Sequence, residues 1–206
     1  TAPTGHEHRI CLETRKLAFA QTSIKAPGVD TTKAACDMPS HQSEDSAIKF
    51  SVVIPAFNAS QQIDVALTSL ARQNYRNFEV IVVDDCSDDT SALVDVIESH
   101  RFRDLDLRID ISKVKLNGSG ARNRGIELSR GDYICFLDAD DAWREDKLGA
   151  TAELIRELTR KGNSRFVVFS KLDVLRDGVQ VKTLPLRAKR PNESVASYIF
   201  GHAGFI

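Results

Sequence analysis

Two short runs constrain this chain most: Phe50-Ser-Val-Val-Ile54 and Phe78-Glu-Val-Ile-Val-Val83. Both are rich in β-branched and aromatic residues, and neither alternates cleanly between apolar and polar. A strand with one wet face alternates. A strand that does not is covered on both faces, as in a parallel sheet flanked by helices. Between the two runs, Ile63, Ala66, Leu67 and Leu70 recur at helical spacing within residues 63–73. The alternation continues. Residues 91–100 give a helix with Leu93, Val94 and Ile97 on one face, 105–111 a strand, 118–129 a helix and 132–137 a strand. Residues 143–160 read as a long helix with Leu148, Ala152, Ile155 and Leu158 inward. Strands follow at 165–169 and 174–183, where Asp177-Gly178 supplies a hairpin turn. The expectation is an α/β fold with a central, mostly parallel sheet flanked by helices.

Composition narrows the function classes. Lys+Arg 28 against Asp+Glu 29 leaves a net charge of -1, so no global basic field exists to hold a nucleic acid. No run of about 18 apolar residues is present, which excludes a membrane-spanning helix. The first 30 residues lack a continuous apolar core of signal-peptide type. Cys11, Cys36, Cys86 and Cys135 form no C-x-x-C pair, which favours a reducing compartment over a disulfide scaffold. Cys135 sits in an apolar run and reads as a buried small hydrophobe. The expected location is cytoplasmic, with peripheral association at the inner face of the membrane left open.

Residues 1–47 read as a leader or linker, rich in Thr, Ala, Ser and His and broken by Pro3, Pro27 and Pro39. Residues 11–24 within it have the spacing for a thin amphipathic helix. The part with regular strand–helix alternation is residues 48–206.

In open α/β sheets, ligands bind beyond the carboxyl ends of the strands. Those ends are Pro55-Ala-Phe57-Asn58, Asp84-Asp85 and Asp138-Ala-Asp140-Asp141, and the helix before the last of them opens Gly118-Ser-Gly120-Ala-Arg122-Asn123. Carboxylates gathered at one rim repel one another in a low-dielectric cleft, and a divalent cation relieves that. Mg2+ and Mn2+ take oxygen ligands, commonly one or two carboxylates plus substrate phosphates. Arg122 and the N–H groups near Gly118 and Gly120 suit anionic oxygens. Each piece alone has a plainer reading. Asp84-Asp85 can be a helix cap, Asp138-Ala-Asp140 a solvated turn, Arg122 a surface charge and Phe57 core. The weight lies in their falling at one rim in this order.

Four blocks carry a family resemblance. Ser51-Val-Val-Ile-Pro-Ala-Phe-Asn58, Glu79-Val-Ile-Val-Val-Asp-Asp-Cys-Ser87, Ala121-Arg-Asn-Arg-Gly125 and Gly131-Asp-Tyr-Ile-Cys-Phe-Leu-Asp-Ala-Asp-Asp141 resemble family 2 glycosyltransferases. The resemblance implies the GT-A fold, a Rossmann-like nucleotide-diphospho-sugar transferase architecture. It also implies an inverting transfer from a nucleotide-sugar donor, usually a UDP-sugar, to a glycan or lipid-linked acceptor. By the same resemblance, Phe57 stacks on the base, with Pro55 beside it in the nucleotide-binding block. Asp85 hydrogen-bonds the base, Asp84 supports its loop and Arg122 contacts the nucleotide. Asp138 and Asp140 form the metal-binding DXD motif for Mn2+ or Mg2+, Asp140 toward the diphosphate and Asp138 toward the ribose or a metal-bound water. Cys86 departs from the glycine usual after the Asp pair, and its β-carbon disfavours a positive-φ turn.

No catalytic base is assigned. Glu153, Glu157, Asp173, Asp177, Glu193 and His202 have no matching motif around them, and the base is expected beyond Ile206. Two other readings remain: a module that binds nucleotide without turnover, and a Mg2+-dependent signalling receiver domain. The latter places its acidic pair after the first strand, where this chain has Pro55-Ala56. Bacterial surface-polysaccharide assembly is the setting that analogy suggests. Oligomeric state is not legible.

Overall fold

A computed structural model describes the backbone of residues 8–20, and residues 47–164, 166–176, 179–184 and 192. The strands are β1 (His8–Ala20), β2 (Phe50–Ala56), β3 (Phe78–Asp84), β4 (Leu107–Ile111), β5 (Tyr133–Phe136), β6 (Ala142–Trp143), β7 (Phe166–Arg176) and β8 (Val179–Leu184). The helices are α1 (Ile63–Ala71), α2 (Thr90–Ile97), α3 (Asn117–Leu128) and α4 (Lys147–Arg160), with a 3-10 turn at His100–Phe102.

The central sheet has the order β4-β3-β2-β5 and is parallel throughout. β2 and β3 are its inner strands, and both are covered on two faces. Phe50, Val52, Ile54, Val80 and Val82 pack with Ile63, Leu67 and Leu70 of α1 and with Leu93 and Ile97 of α2. On the other face Val53, Ile81 and Val83 pack against Ala121 of α3. Two-sided burial is why these runs do not alternate.

Parallel, in-register pairing brings the strand ends level. Phe50 pairs with Phe78 and Ala56 with Asp84, while Val53 pairs with Phe136 of β5. Leu137 N–H then donates to Val53 O at 3.1 Å, so Asp138 emerges beside the end of β2. At the opposite ends, the buried Glu79 carboxylate accepts from Ser51 Oγ and from Arg130 N–H, both at 2.6 Å, and pairs with Arg108 at 3.1 Å. Gly131 N–H donates to Ser51 Oγ at 2.8 Å. A β-carbon on Gly131 would lie 2.7 Å from Phe50 C and Ser51 N. This knot sets the height at which β5 enters the sheet.

A second sheet, β6-β1-β7-β8, is mixed. β7 and β8 form an antiparallel hairpin in which Arg176 pairs with Val179. The expected turn at 177–178 lies outside the described residues. Three sequence expectations change. Residues 11–24 were open to a helix, but β1 runs as a strand through residue 20, pairing antiparallel with β7; residues 21–24 lie outside the described residues. Its apolar residues fall at 10 and 12, then at 17 and 19, a period of two that changes phase where the pairing shifts between Glu13 and Leu17. The long helix starts at Lys147 rather than 143, because Trp143 lies in β6, its N–H held by Ser69 Oγ at 3.1 Å. Cys135 is half-buried rather than fully buried, and burial pushes its thiol up to about 11. Leu148, Ala152, Ile155 and Leu158 do face inward on α4. Among the described residues no helix is long and apolar enough to cross a membrane.

Candidate active site

Pro55, Phe57, Asp85, Arg122, Asp138 and Asp140 line one cleft of about 370 Å³ at the carboxyl ends of β2, β3 and β5. Ala56, Asn58, Ala59, Gln62, Gly118, Ala121 and Ala139 complete its walls. Asp84 does not line it. Its carboxylate is fully buried and accepts from Thr90 Oγ1 at 2.7 Å and Ser87 N–H at 3.4 Å. That fastens the β3 end to the start of α2.

Two loops form the first wall, and they are stitched together. Asp85 N–H donates to Ala56 O at 2.8 Å, and Asn58 N–H to Ser87 Oγ at 2.9 Å. Asn58 Oδ1 accepts from Asp88 N–H at 2.9 Å, and Asp89 Oδ2 from Ser60 N–H, also at 2.9 Å. The turns require left-handed backbone at Asn58, with φ +50°, and at Cys86, with φ +59°. Asparagine tolerates that region better than most residues, whereas a cysteine there carries strain. The positive-φ turn is thus kept despite the β-carbon.

Phe57 is 50% exposed, so its ring is a platform on the cleft rather than core. Asp85 beside it is 3% exposed. One carboxylate oxygen accepts from Leu116 N–H, and the other pairs with Lys115 Nζ at 3.5 Å. Lys115 Nζ also lies over the Phe57 ring. Sequence reasoning placed Asn58 at a strand end without giving it a role, and missed Lys115 and Gln62. Lys115 belongs to none of the sequence blocks, and its direction follows only from the loop.

The second cluster is anionic and cationic together. Arg122 Nη2 donates to Asp138 Oδ1, and Nη1 to Gly118 O at 3.2 Å. Arg122 reaches the cleft because its neighbours hold α3 tight on the sheet. Ala121 is buried, and a β-carbon on Gly125 would lie 2.2 Å from Val53 Cγ1. Those two residues are four apart and share a face, so Arg122, one position on, falls at the rim. Arg124 secures the same helix to β4, with Nε and Nη2 donating to the Asp110 carboxylate at 3.0 and 3.1 Å. That pairing, with Glu127, raises the guanidinium pKa. The segment after the acidic loop is held from the turn that follows α1. Gln73, fully buried, donates to Arg144 O at 2.6 Å and accepts from Leu148 N–H at 3.0 Å.

Asp138 and Asp140 are both exposed on the cleft. Among the described residues no three His, Cys, Asp or Glu side chains converge to hold a metal ion. Two hard carboxylates facing one open cleft are nevertheless the donor set that Mg2+ or Mn2+ uses when substrate phosphates supply the remaining oxygens. The residues present fit a substrate-completed site and not a protein-only cage.

None of the candidate bases gains a role. Asp173 accepts from Gln180 Nε2 at 2.9 Å and from Thr183 Oγ1 at 2.5 Å within the β7–β8 hairpin. Glu157 pairs with Lys161 at 2.7 Å and Glu153 is exposed on α4. Residues 177, 193 and 202 lie outside the described residues.

A cleft with an aromatic face, a buried carboxylate, an arginine and two exposed carboxylates suits a ligand with a flat polar ring at one part and oxyanions at another. Known proteins are similar to this chain in sequence. The amylovoran biosynthesis glycosyltransferase AmsB of Erwinia amylovora is 49% identical over 159 residues, 77% of this chain and 53% of that protein. The UDP-Glc:alpha-D-GlcNAc-diphosphoundecaprenol beta-1,3-glucosyltransferase WfgD of Escherichia coli is 34% identical over 48% of this chain and 37% of its own. Among solved structures, a fragment of S. aureus TarS in complex with UDP-GlcNAc superposes with a TM-score of 0.50 at 33% identity, over 54% of this chain and 32% of that one. The chain thus spans about half of AmsB and less of the others. A GT-A glycosyltransferase fold accounts for the parallel sheet and the position of its cleft, and the receiver-domain reading falls with it. The family model described as glycosyl transferase family 2 matches residues 51–200, most of the chain, and the protein belongs to that family.

Proposed function

We propose that the cleft binds the nucleoside diphosphate of a sugar donor, with uridine as the base. The chain then carries the donor half of an inverting, metal-assisted transfer to a glycan or lipid-linked acceptor. The observation that carries this reading is the convergence of Phe57, Asp85, Arg122, Asp138 and Asp140 on one cleft. Phe57 offers the base a stacking face and Asp85 accepts its N–H. Breaking the sugar–phosphate bond leaves negative charge on the diphosphate, and Arg122, at the cleft, would stabilise it. Asp138 would release Arg122 to the diphosphate and, with Asp140, would hold a divalent cation, Mn2+ or Mg2+, whose bound charge neutralises the leaving group. Direct displacement also needs a carboxylate that takes the acceptor hydroxyl proton from the opposite face of the sugar. No described residue is assigned that role.

The choice of UDP-sugar is supported by the UDP-GlcNAc complex of TarS and the UDP-Glc donor in the name of WfgD. A glycan or lipid-linked acceptor is supported by amylovoran in the name of AmsB and by diphosphoundecaprenol in that of WfgD. We propose that this work takes place in the cytoplasm, at the inner face of the membrane, in bacterial surface-polysaccharide assembly, a setting supported by amylovoran biosynthesis in the name of AmsB. The test is thermal. UDP with Mn2+ raises the melting temperature of the chain, and Asp140→Ala removes the metal-dependent part of the rise. No rise with any nucleoside diphosphate and metal overturns the proposal.

A further inference from the structure

We infer that Lys115 reads the nucleobase, leaving the Phe57 ring to donate to a base carbonyl oxygen beside the Asp85 carboxylate. The inference rests on the donor-binding reading above and adds to it a residue that reads the edge of the base and favours uracil over cytosine.

Lys115 Nζ lies over Phe57 and 3.5 Å from Asp85 Oδ2. A base stacked on Phe57 takes the face that the ammonium covers, so Lys115 has to move. It can: its side chain is 43% exposed, and its stem is flexible. It does not go far, because the Asp85 side chain is 5% exposed and a buried carboxylate keeps its cation near. Leu116 N–H, the next backbone group, already donates to the other Asp85 oxygen, so the Lys115 backbone stays pinned at the rim. The short move open to the ammonium is from the ring face to the edge of the base.

The chemistry of that edge then follows. A carboxylate accepts from an N–H, and an ammonium has three donors and no acceptor. Together they match an edge with an N–H beside a carbonyl oxygen. Uracil presents an N–H between two carbonyl oxygens. Cytosine presents a ring nitrogen that accepts, which would meet the Asp85 lone pairs. A stacked base also excludes water from the pair, which strengthens each charged hydrogen bond.

The experiment measures calorimetric affinity for UDP and for ribose 5-diphosphate, the same ligand without its base. Both are titrated with Mn2+ into the whole chain as wild type, Lys115→Met and Lys115→Arg. Removing a charged donor to a neutral acceptor weakens UDP binding by roughly tenfold in Lys115→Met. Binding of ribose 5-diphosphate stays as in wild type, and Lys115→Arg recovers most of the UDP affinity. Met leaves Asp85 without its cation, so the readout is the ratio of the two affinities within each protein. A ratio unchanged by Lys115→Met, whether both ligands weaken or neither does, overturns the inference and leaves the donor site standing. Tighter UDP binding by Lys115→Met overturns it too, reducing Lys115 to a cover over the ring. Wild-type protein that binds neither ligand overturns the donor-site reading and the inference together.

Discussion

Cys86 holds a left-handed backbone at the turn that carries Asp85 into the cleft. A β-carbon there costs about 1–2 kcal/mol, part of which glycine gives back as unfolded-chain entropy. Cys86→Gly is therefore expected to stabilise the protein by about 0.5–1 kcal/mol, read from the denaturant midpoint at constant slope. Glu79 is the opposite case, a buried charge that is well partnered. Burial is the strongest influence on it and pushes its pKa up. The Ser51 hydroxyl, the Arg130 N–H and the charges of Arg108 and Lys49 together outweigh burial and leave the pKa below 4.5. A depressed carboxylate stabilises the fold above its unfolded pKa and loses that contribution as pH falls through the folded one. Glu79→Gln should cost roughly 2 kcal/mol at neutral pH. The difference from wild type should shrink as pH drops below 4.5, which denaturant melts across pH 3–7 would reveal.

At the scale of elements, α3 is the piece on which the site depends. Its first turn lines the cleft, its Arg122 meets Asp138, and Arg124 ties it to β4. The close approach of Gly125 to Val53 sets its distance from the sheet. Ala is the better helix former, by about 1 kcal/mol. Overpacking is nonetheless expected to dominate, so that Gly125→Ala destabilises by roughly 1–3 kcal/mol. It should also weaken nucleotide binding, since Arg122 moves with the helix. Adding Val53→Ala removes the clashing methyl groups. The double variant should then be less destabilised than the sum of the two single changes, a non-additivity that a double-mutant cycle measures directly.

For the molecule as a whole, ligand linkage gives the sharpest expectation. UDP with Mn2+ at a hundred times its Kd stabilises the folded state by about 2.7 kcal/mol. For a chain of this size that is a rise of about 5–10 °C in melting temperature. Asp138→Asn should reduce the metal-dependent part of that rise while leaving the apo melting temperature within about 2 °C, because its pair with Arg122 is solvent-exposed and worth little. A large apo loss would make the pair structural instead.

The sequence by itself determined the central sheet. Unalternating runs at Phe50–Ala56 and Phe78–Asp84 demand cover on both faces, and helix-spaced segments between them supply it. It also named Pro55, Phe57, Asp85, Asp138 and Asp140 of the cleft, since each lies at or just past a strand end and parallel strands share one end. Other features depended on the partners that folding brings. Trp143 reads as helix by periodicity, yet pairing with β1, far back in the chain, puts it in a strand, with its N–H held by Ser69. Composition and periodicity do not separate Asp84 from Asp85, and only the resemblance gave them different roles; in the fold Thr90 turns one into the loop while Leu116 and Lys115 meet the other at the cleft. Lys115 lies in no sequence motif, and only the folded loop carries it over Phe57. Periodicity fixes which face of an element is buried; which side chain meets which ligand is fixed by contacts between residues distant in sequence, and those exist only once the chain has folded.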